Sequence, residues 1–277
     1  MPLRLQLRYA DKPAESHVLF EGKEYLLGRA NDCDIVLDHP SVSRYHARLS
    51  ARNGVWQLQD HKSQNGCYQA GQRVETVALA PFADVVLGPV QCRMERVEHR
   101  QITAESSFRQ WRQRYLTAAT GQLLQETSLT NLLRSASDTL STILSSDRAA
   151  VIFLDDQGEI SNCTGYPAWL NEATFSGSRT AIRQAVGTGD PLVLAAVQQS
   201  PGIAQAPSII RNHIQALLVY PIIVDEKVVA VLYADSQAEH RAFLDTDLVI
   251  VRAFARQLSM ALQIQDIESR IEKLRVS

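Results

Sequence analysis

The chain has 277 residues, enough for two units that each bury a core, and its 45% hydrophobic and 21% charged residues are typical of a folded globular protein. Its formal net charge is −2, and the first 97 positions hold almost equal numbers of basic and acidic residues, which excludes a general field for binding nucleic acid. The apolar runs are too short to cross a bilayer and the first residues lack a signal-peptide core, so we expect a cytoplasmic protein without membrane contact.

Short apolar runs predict strands throughout the first hundred residues. Residues 3–9 alternate strictly between apolar and polar, which is the period of a half-buried strand. Further runs follow at short intervals, separated by turn signals such as Asn53-Gly54 and Gly88-Pro89. Because no helical period interrupts them, we predict an antiparallel β-sandwich over residues 1–98.

The apolar spacing changes to a helical period after about residue 104. We assign residues 99–127 to a helical linker, and residues 129–143 continue the same period. Strand-like runs and two helical segments then alternate up to residue 262, which indicates an antiparallel sheet covered by helices. Residues 128–262 are predicted as this α+β domain, and residues 263–277 as a C-terminal helix of coiled-coil type.

Three loops of the predicted sandwich carry polar groups that suit an anion. Arg29 follows a strand, Ser43 and Arg44 lie in the next loop, and Asn65-Gly66 lies in a third. Phosphate recognition uses an arginine fork, a hydroxyl donor and backbone held in turns. Loops at one end of a sandwich cluster together, so we expect these groups to meet at one anion.

These blocks resemble the signature of the forkhead-associated (FHA) domain, a reader of phosphothreonine. The resemblance covers residues 3–97 and rests on Gly28-Arg29, the Ser-x-x-His block that ends at His46, and Asn65-Gly66 within "DHKSQNG". It implies a partner phosphorylated on threonine, such as a Ser/Thr kinase or its substrate. Taken singly, these residues have plainer explanations as surface charges, turn residues or a buried histidine that bridges two loops.

The resemblance also implies a role for each site residue. Arg29 and Ser43 would contact the phosphate, Arg44 would border it, and Asn65 would hold the peptide backbone. Gln64 stands where the family often has a hydroxyl that touches phosphate, so that contact is either lost or replaced by an amide N–H donor. The residues implied to be structural are Gly28, His46 and Gly66.

The second domain resembles the GAF domain, a module that senses small molecules or dimerises. The stretches "DRAAVIFLDDQGEI" and "ALLVYPIIVDEKVVAVLYAD" carry much of this likeness. Members that bind cyclic nucleotides share a Phe-x-x-x-Asp-Glu block, of which Phe243 and Asp247 are present and the final Glu is Leu248. We interpret Asp247 as a carboxylate near a helix start. The resemblance does not specify the class of small molecule that this domain would sense.

We expect neither a metal, a cofactor nor a catalytic constellation. Cys163 is the only cysteine of the second domain, and adjacent Asp155-Asp156 fits a turn. His213 is interpreted as a surface or capping residue, since no second ligand lies near it in the sequence.

Apolar residues at coiled-coil spacing predict a parallel homodimer. One set of these residues precedes the second domain and consists of Phe108, Trp111 and Tyr115. The other set lies near the end of the sequence and consists of Met260, Ile264, Ile267, Ile271 and Leu274. Each set forms an apolar stripe along its helix. The alternative is that each stripe covers its own sheet.

The sequence therefore predicts a multidomain chain: an all-β FHA sandwich followed by an α+β GAF domain with long flanking helices. The expected function is that of a non-enzymatic bacterial signalling adaptor that binds a threonine-phosphorylated protein and dimerises or senses a small molecule. Three alternatives stay open. The chain could be the sensor part of a longer cyclase or ATPase-type transcription activator, a GAF-fold redox enzyme, or a scaffold in which only dimerisation matters.

Overall fold

The structure, a computed structural model, describes all residues except 156, 162–165, 171–174, 201, 225, 239–240 and 277, and it does not describe the side chains of residues 266 and 268–276. The chain forms two compact units, one of Met1–Ala10 with Ala14–Phe108 and one of Asp11–Pro13 with Arg109–Ser277.

The first unit is built from strands. They are β1 (Leu3–Arg8), β2 (Glu15–Leu19), β3 (Tyr25–Gly28), β4 (Ile35–Val36), β5 (Ala47–Arg52), β6 (Val55–Asp60), β7 (Cys67–Gln69), β8 (Gln72–Val74), β9 (Thr76–Ala78), β10 (Phe82–Leu87) and β11 (Val90–Arg96).

These strands form two packed sheets, which confirms the predicted sandwich. One sheet has the order β2-β1-β11-β10-β7-β8 and the other has the order β4-β3-β5-β6-β9. The alternation of β1 places Leu3, Leu5 and Leu7 in the core, where they are fully buried with Trp56. One pair departs from the antiparallel prediction, because β3 and β4 run parallel, with Leu27 beside Ile35.

The second unit surrounds a four-stranded antiparallel sheet of order β12-β15-β14-β13. Its strands are β12 (Arg148–Phe153), β13 (Leu192–Leu194), β14 (Ala216–Val224) and β15 (Lys227–Ser236). The helices are α1 (His99–Leu123), whose first ten residues belong to the first unit, α2 (Leu129–Leu144), α3 (Arg179–Thr188), α4 (Pro207–Arg211) and α5 (Asp245–Val276). In the described part of the chain, none of the helices is apolar over a stretch long enough to span a bilayer.

Both faces of this sheet are covered. Leu218 of β14 belongs to a buried cluster with Leu140 of α2 and Phe254 of α5. Its neighbour Leu217 points to the other face and packs in a cluster with Ile182 of α3. The α+β arrangement predicted for this domain is therefore confirmed. After β12, Leu154 forms a single antiparallel bridge with Ile160, and residues 162–165 lie outside the described residues.

A buried ion pair joins three helices of the second unit. Nη1 of Arg112 on α1 donates to Oδ1 of Asp247 on α5 at 2.5 Å and to the carbonyl oxygen of Ile143 on α2 at 3.0 Å. The side chains of Arg112 and Asp247 are 6% and 1% exposed. Asp247 also accepts the backbone N–H of Leu244 at 2.9 Å, as expected for a carboxylate at a helix start. Asp247 thus lies at a helix start as predicted, and its pairing with Arg112 is an addition from the structure.

Candidate anion-binding site

Three loops of the first unit meet beside the end of β3. The backbone N–H of Arg29 donates to the carbonyl oxygen of Ser43 at 2.9 Å, and that of Ala30 donates to the carbonyl oxygen of Arg44 at 3.1 Å. The backbone N–H of Gln64 donates to Oγ of Ser43 at 3.0 Å. Residues from the ends of β3, β4 and β6 are thus held together by direct hydrogen bonds, as the sequence predicts.

Arg29 presents a guanidinium that is fixed at one nitrogen. Its Nε donates to the carbonyl oxygen of Val42 at 3.2 Å, and the side chain is exposed. Among the residues that the structure describes, none accepts a hydrogen bond from the two terminal nitrogens of Arg29 or forms an ion pair with them. The forked end of the guanidinium is therefore available to an anion beside Ser43.

Ser43 is half-buried and its hydroxyl is oriented by the next loop. Because Oγ accepts the N–H of Gln64, the hydroxyl hydrogen remains able to donate. The side chains of Gln64 and Arg44 are exposed. Hydrogen bonds bring together the Arg29 and Ser43 loops and the backbone of Gln64, and they leave the guanidinium of Arg29 and the hydroxyl of Ser43 able to donate.

Asn65 ties two loops together and still offers an acceptor. Its Nδ2 donates to the carbonyl oxygen of Ser41 at 2.7 Å, and the side chain is exposed. Orienting the amide by this bond leaves Oδ1 facing away from Ser41, where it can accept a backbone N–H.

Gly28 and Gly66 permit the close approach of the loops. A Cβ on Gly28 would lie 2.1 Å from the carbonyl oxygen of Arg44, so any side chain there would push the second loop away. Gly66 has φ +77°, and a Cβ on it would lie 2.6 Å from Nε of Arg73. Arg73, which follows Gly66 by seven residues, was not predicted as a site residue.

Ser63 is a second residue of the site that was not predicted from the sequence. It is buried, its Oγ donates to Oδ1 of Asp60, and the same Oγ accepts the N–H of Gly66 at 2.9 Å. The block "DHKSQNG" contains both partners, so the signal was a serine three residues after an aspartate, which is a common turn pattern.

His46 is fully buried and links the second and third loops. Its Nδ1 accepts the N–H of Ser43 at 3.1 Å, and its Nε2 lies 3.1 Å from the carbonyl oxygen of Gly66. Since a carbonyl only accepts, Nε2 carries the proton and the ring is neutral. Desolvation is the main cause that lowers the pKa of His46 below its ordinary value, and the bond to Gly66 and the charge of Asp60 oppose it.

His46, Asp60 and Cys67 lie within 4.8 Å of one another, a spacing that a metal ion could use. Both ring nitrogens of His46, however, are engaged with backbone groups, which leaves no lone pair for a metal. Burial, with the nearby Asp60, raises the pKa of Cys67 to about 12, so it stays a thiol. The three residues form a hydrogen-bonded support for the loops rather than a metal centre.

The residues predicted for dimerisation lie on α1 and α5. Those with large exposed fractions are Phe108 (42%), Trp111 (43%), Met260 (51%), Ile264 (41%) and Ile267 (55%). Tyr115 is half-buried and stacks on Trp111 with ring centroids 5.2 Å apart. The side chains of Ile271 and Leu274 lie outside the described residues.

Other residues considered in the sequence have structural surroundings. Asp155 accepts the N–H groups of Gln157 and Glu159 at 2.9 Å, which is a turn contact. Phe243 is fully buried in the core and His213 is exposed. Cys163 and Asp156 lie outside the described residues.

Comparison with known proteins identifies both domains. The family description of the FHA domain matches residues 25–88, and that of the GAF domain matches residues 128–262. The chain therefore contains an FHA domain followed by a GAF domain, as the sequence motifs predict.

Individual relatives share only parts of the chain. The FHA domain-containing protein FhaB of Mycolicibacterium smegmatis is 35% identical over 69 residues, which are 25% of this chain and 44% of that protein. The circadian input-output histidine kinase CikA of Thermosynechococcus vestitus is 25% identical over 187 residues, 62% of this chain and 26% of that protein. A chain solved in the structural and functional analysis of phosphothreonine-dependent FHA domain interactions aligns at 26% identity, covering 35% of this chain and 99% of its own length, with a TM-score of 0.32. This chain thus spans less than half the length of the curated relatives.

Proposed function

We propose that the FHA domain binds threonine-phosphorylated proteins at the site formed by Arg29, Ser43 and Asn65, and that the GAF domain dimerises the chain or senses a small molecule. The protein then acts as a signalling adaptor, with binding rather than catalysis as its role. The observation that carries the proposal is the forked end of the Arg29 guanidinium, which no described residue pairs with and which the bond from Nε fixes to the carbonyl oxygen of Val42, the residue before Ser43.

The site suits a phosphate ester better than a bare hydroxyl. Phosphorylation adds about −1.5 to −2 charges and three strong acceptor oxygens. The terminal nitrogens of Arg29 would donate to two of these oxygens, and the hydroxyl of Ser43 would donate to one. Arg44 adds positive charge at the rim, and the side-chain amide of Gln64 offers a further donor.

Recognition of the peptide itself would come from Asn65. Its Oδ1 would accept an N–H of the peptide backbone, while the bond from Nδ2 to Ser41 holds the amide in place. This contact does not depend on the phosphate, so it would fix the ligand's register and leave Arg29 and Ser43 to distinguish phosphorylated from unphosphorylated chains.

Calorimetric titration with matched peptides tests the proposal. We expect a phosphothreonine peptide to bind and the same peptide with bare threonine to bind at least tenfold more weakly. Arg29→Gln should weaken phosphopeptide binding by about 10- to 100-fold, the range of a hydrogen bond to a charged group.

Arg52→Gln is the matched control for charge. Arg52 is exposed at the far end of β5, about 17 Å along the strand from Ala47, so its loss should change phosphopeptide affinity little. Equal binding of both peptides to the unmodified protein, or equal effects of the two substitutions, would contradict the proposed site.

The dimer proposal rests on the exposed apolar side chains of α1 and α5. Met260, Ile264 and Ile267 follow one another at spacings of four and three and are 41–55% exposed, which favours burial against a second helix. Light scattering on the full chain should give a dimer mass, and Ile264→Glu should shift the mass toward the monomer. Gln263→Glu adds the same charge beside the stripe and should leave the dimer intact.

A redox enzyme is the rival function. Within the described ranges the cysteines are Cys33, Cys67 and Cys92, and all of them are buried. Turnover by the purified chain that is lost on Cys163→Ser would favour that rival.

A further inference from the structure

The edge of the proposed site next to Asn65 carries an additional arginine. Arg73 lies on β8, opposite Tyr68 in the β7–β8 hairpin. Its side chain runs across the backbone of Gly66, since a Cβ built on Gly66 would lie 2.6 Å from Nε and 3.0 Å from Cζ of Arg73. Nη2 of Arg73 also lies 3.5 Å from the carbonyl oxygen of Ser63. The guanidinium therefore rests on the loop that presents Asn65.

This guanidinium belongs to an exposed side chain. Within the part of the chain that the structure describes, Arg73 forms no ion pair, whereas Arg4, Arg48 and Arg93 of the same domain are each paired with a carboxylate. Lys62, in the same loop as Asn65, is also exposed. An uncompensated arginine beside a ligand site attracts anionic groups on the ligand.

The exposed carboxylate of Asp32 belongs to a different loop from Arg73. Asp32 follows Arg29 by three residues and accepts the hydroxyl of Tyr45 at 2.8 Å, which joins it to the loop of Arg44. Arg73, in contrast, contacts the loop of Ser63 and Asn65.

We propose that Arg73 is a specificity-determining residue that selects phosphothreonine peptides carrying an acidic side chain on the flank that lies over Asn65. This inference rests on the proposed function of the FHA domain. It narrows the ligand class from any phosphothreonine peptide to one with an acidic residue on one side of the phosphothreonine.

The steric fit makes arginine suited to this role. Gly66 has no side chain, so the flat guanidinium can lie on the loop while its outer edge faces solvent. The bond to Ser63 uses one nitrogen, and the remaining N–H groups can donate to a carboxylate in the forked geometry of arginine. A lysine here would keep the charge and lose the fork.

A panel of phosphothreonine peptides tests the proposal. The parent peptide has glutamine at the three positions before and the three positions after the phosphothreonine. Each peptide of the panel replaces one of these glutamines by glutamate. Fluorescence anisotropy is measured for the unmodified protein, Arg73→Gln, Arg73→Lys and the exposed control Arg52→Gln. Low and high salt are compared.

We expect peptides with glutamate on one side of the phosphothreonine to bind about two- to fivefold more tightly than the glutamine parent, which is the range of an exposed ion pair. Arg73→Gln should remove this preference while the glutamine parent keeps its affinity, Arg73→Lys should keep part of it, and Arg52→Gln should keep all of it. The preference should also shrink at high salt.

The inference is overturned if Arg73→Gln weakens the glutamate and glutamine peptides equally, because Arg73 would then only support the loop. It is also overturned if no position prefers glutamate while phosphothreonine is still distinguished from threonine. Failure to distinguish phosphothreonine from threonine would instead refute the proposed function, so the two failures are separable.

Discussion

Replacement of Arg112 by methionine tests the energetic importance of the buried ion pair in the second unit. The change leaves the carboxylate of Asp247, which is 1% exposed, without its closest cation at 2.5 Å. Removing one partner of a buried pair costs about 3–5 kcal/mol. Asp247 keeps the N–H of Leu244 at 2.9 Å and Nη2 of Arg241 at 3.4 Å, so we expect the lower end, about 3 kcal/mol.

Scanning calorimetry measures this cost. For a unit of this size about 1 kcal/mol shifts the Tm by about 2–4 °C, so Arg112→Met should lower the Tm of the second unit by about 6–12 °C. The transition of the FHA sandwich should not move. Arg114→Met, on an exposed position of the same helix, should change stability by no more than about 0.5 kcal/mol.

The double variant Arg112→Met with Asp247→Asn separates charge from packing. Removing both charges abolishes the unpaired carboxylate, and an asparagine oxygen can still accept the N–H of Leu244. The double variant should recover at least half of the lost stability. The reasoning would be refuted if Arg112→Met were as stable as Arg114→Met. It would also be refuted if the double variant were no more stable than Arg112→Met.

Two further predictions concern the FHA sandwich and its linker helix. Gly28→Ala should destabilise the first unit by about 1–3 kcal/mol in chemical denaturation, because the new Cβ would meet the carbonyl oxygen of Arg44. The control is Gly121→Ala, which lies in a helix with open space around it and should be neutral or stabilising. His46 should show an Nε2–H tautomer in NMR spectra. Its pKa should lie below 6.5, the value expected in the unfolded chain. The contribution of His46 to stability is therefore complete above pH 6.5 and is lost as the pH falls through the lower pKa of the folded state. A titration midpoint at or above 6.5 would contradict the lowering of this pKa by burial.

The layered architecture followed from local patterns. The alternation in residues 3–9 predicted β1 because every second residue enters the core. Strands β7, β8 and β9 were missed because each has three residues, too few to show a period. The parallel pairing of β3 with β4 depends on a two-residue strand, and nothing in the local sequence specifies its direction.

The residues of the candidate site could be predicted where they belong to the sequence motifs themselves. The blocks around Arg29, Ser43 and Asn65 could be found from residue type and order, and the structure brings them together. Arg73 could not be found in this way, because its proximity to Gly66 depends on the fold of the β7–β8 hairpin. The pair of Arg112 and Asp247 joins residues 135 positions apart, and helical periodicity alone would place an arginine in solvent.

NMR titration of the full chain with a phosphothreonine peptide tests the central claim most directly, since it reports on single atoms. The account predicts that the largest changes in chemical shift occur at the side-chain Nε–H of Arg29, at the backbone N–H of Gln64 and at the side-chain amide of Asn65. The same peptide without phosphate should leave the Nε–H of Arg29 unchanged. Shifts confined to residues at the far end of β5, or equal shifts with both peptides, would contradict it.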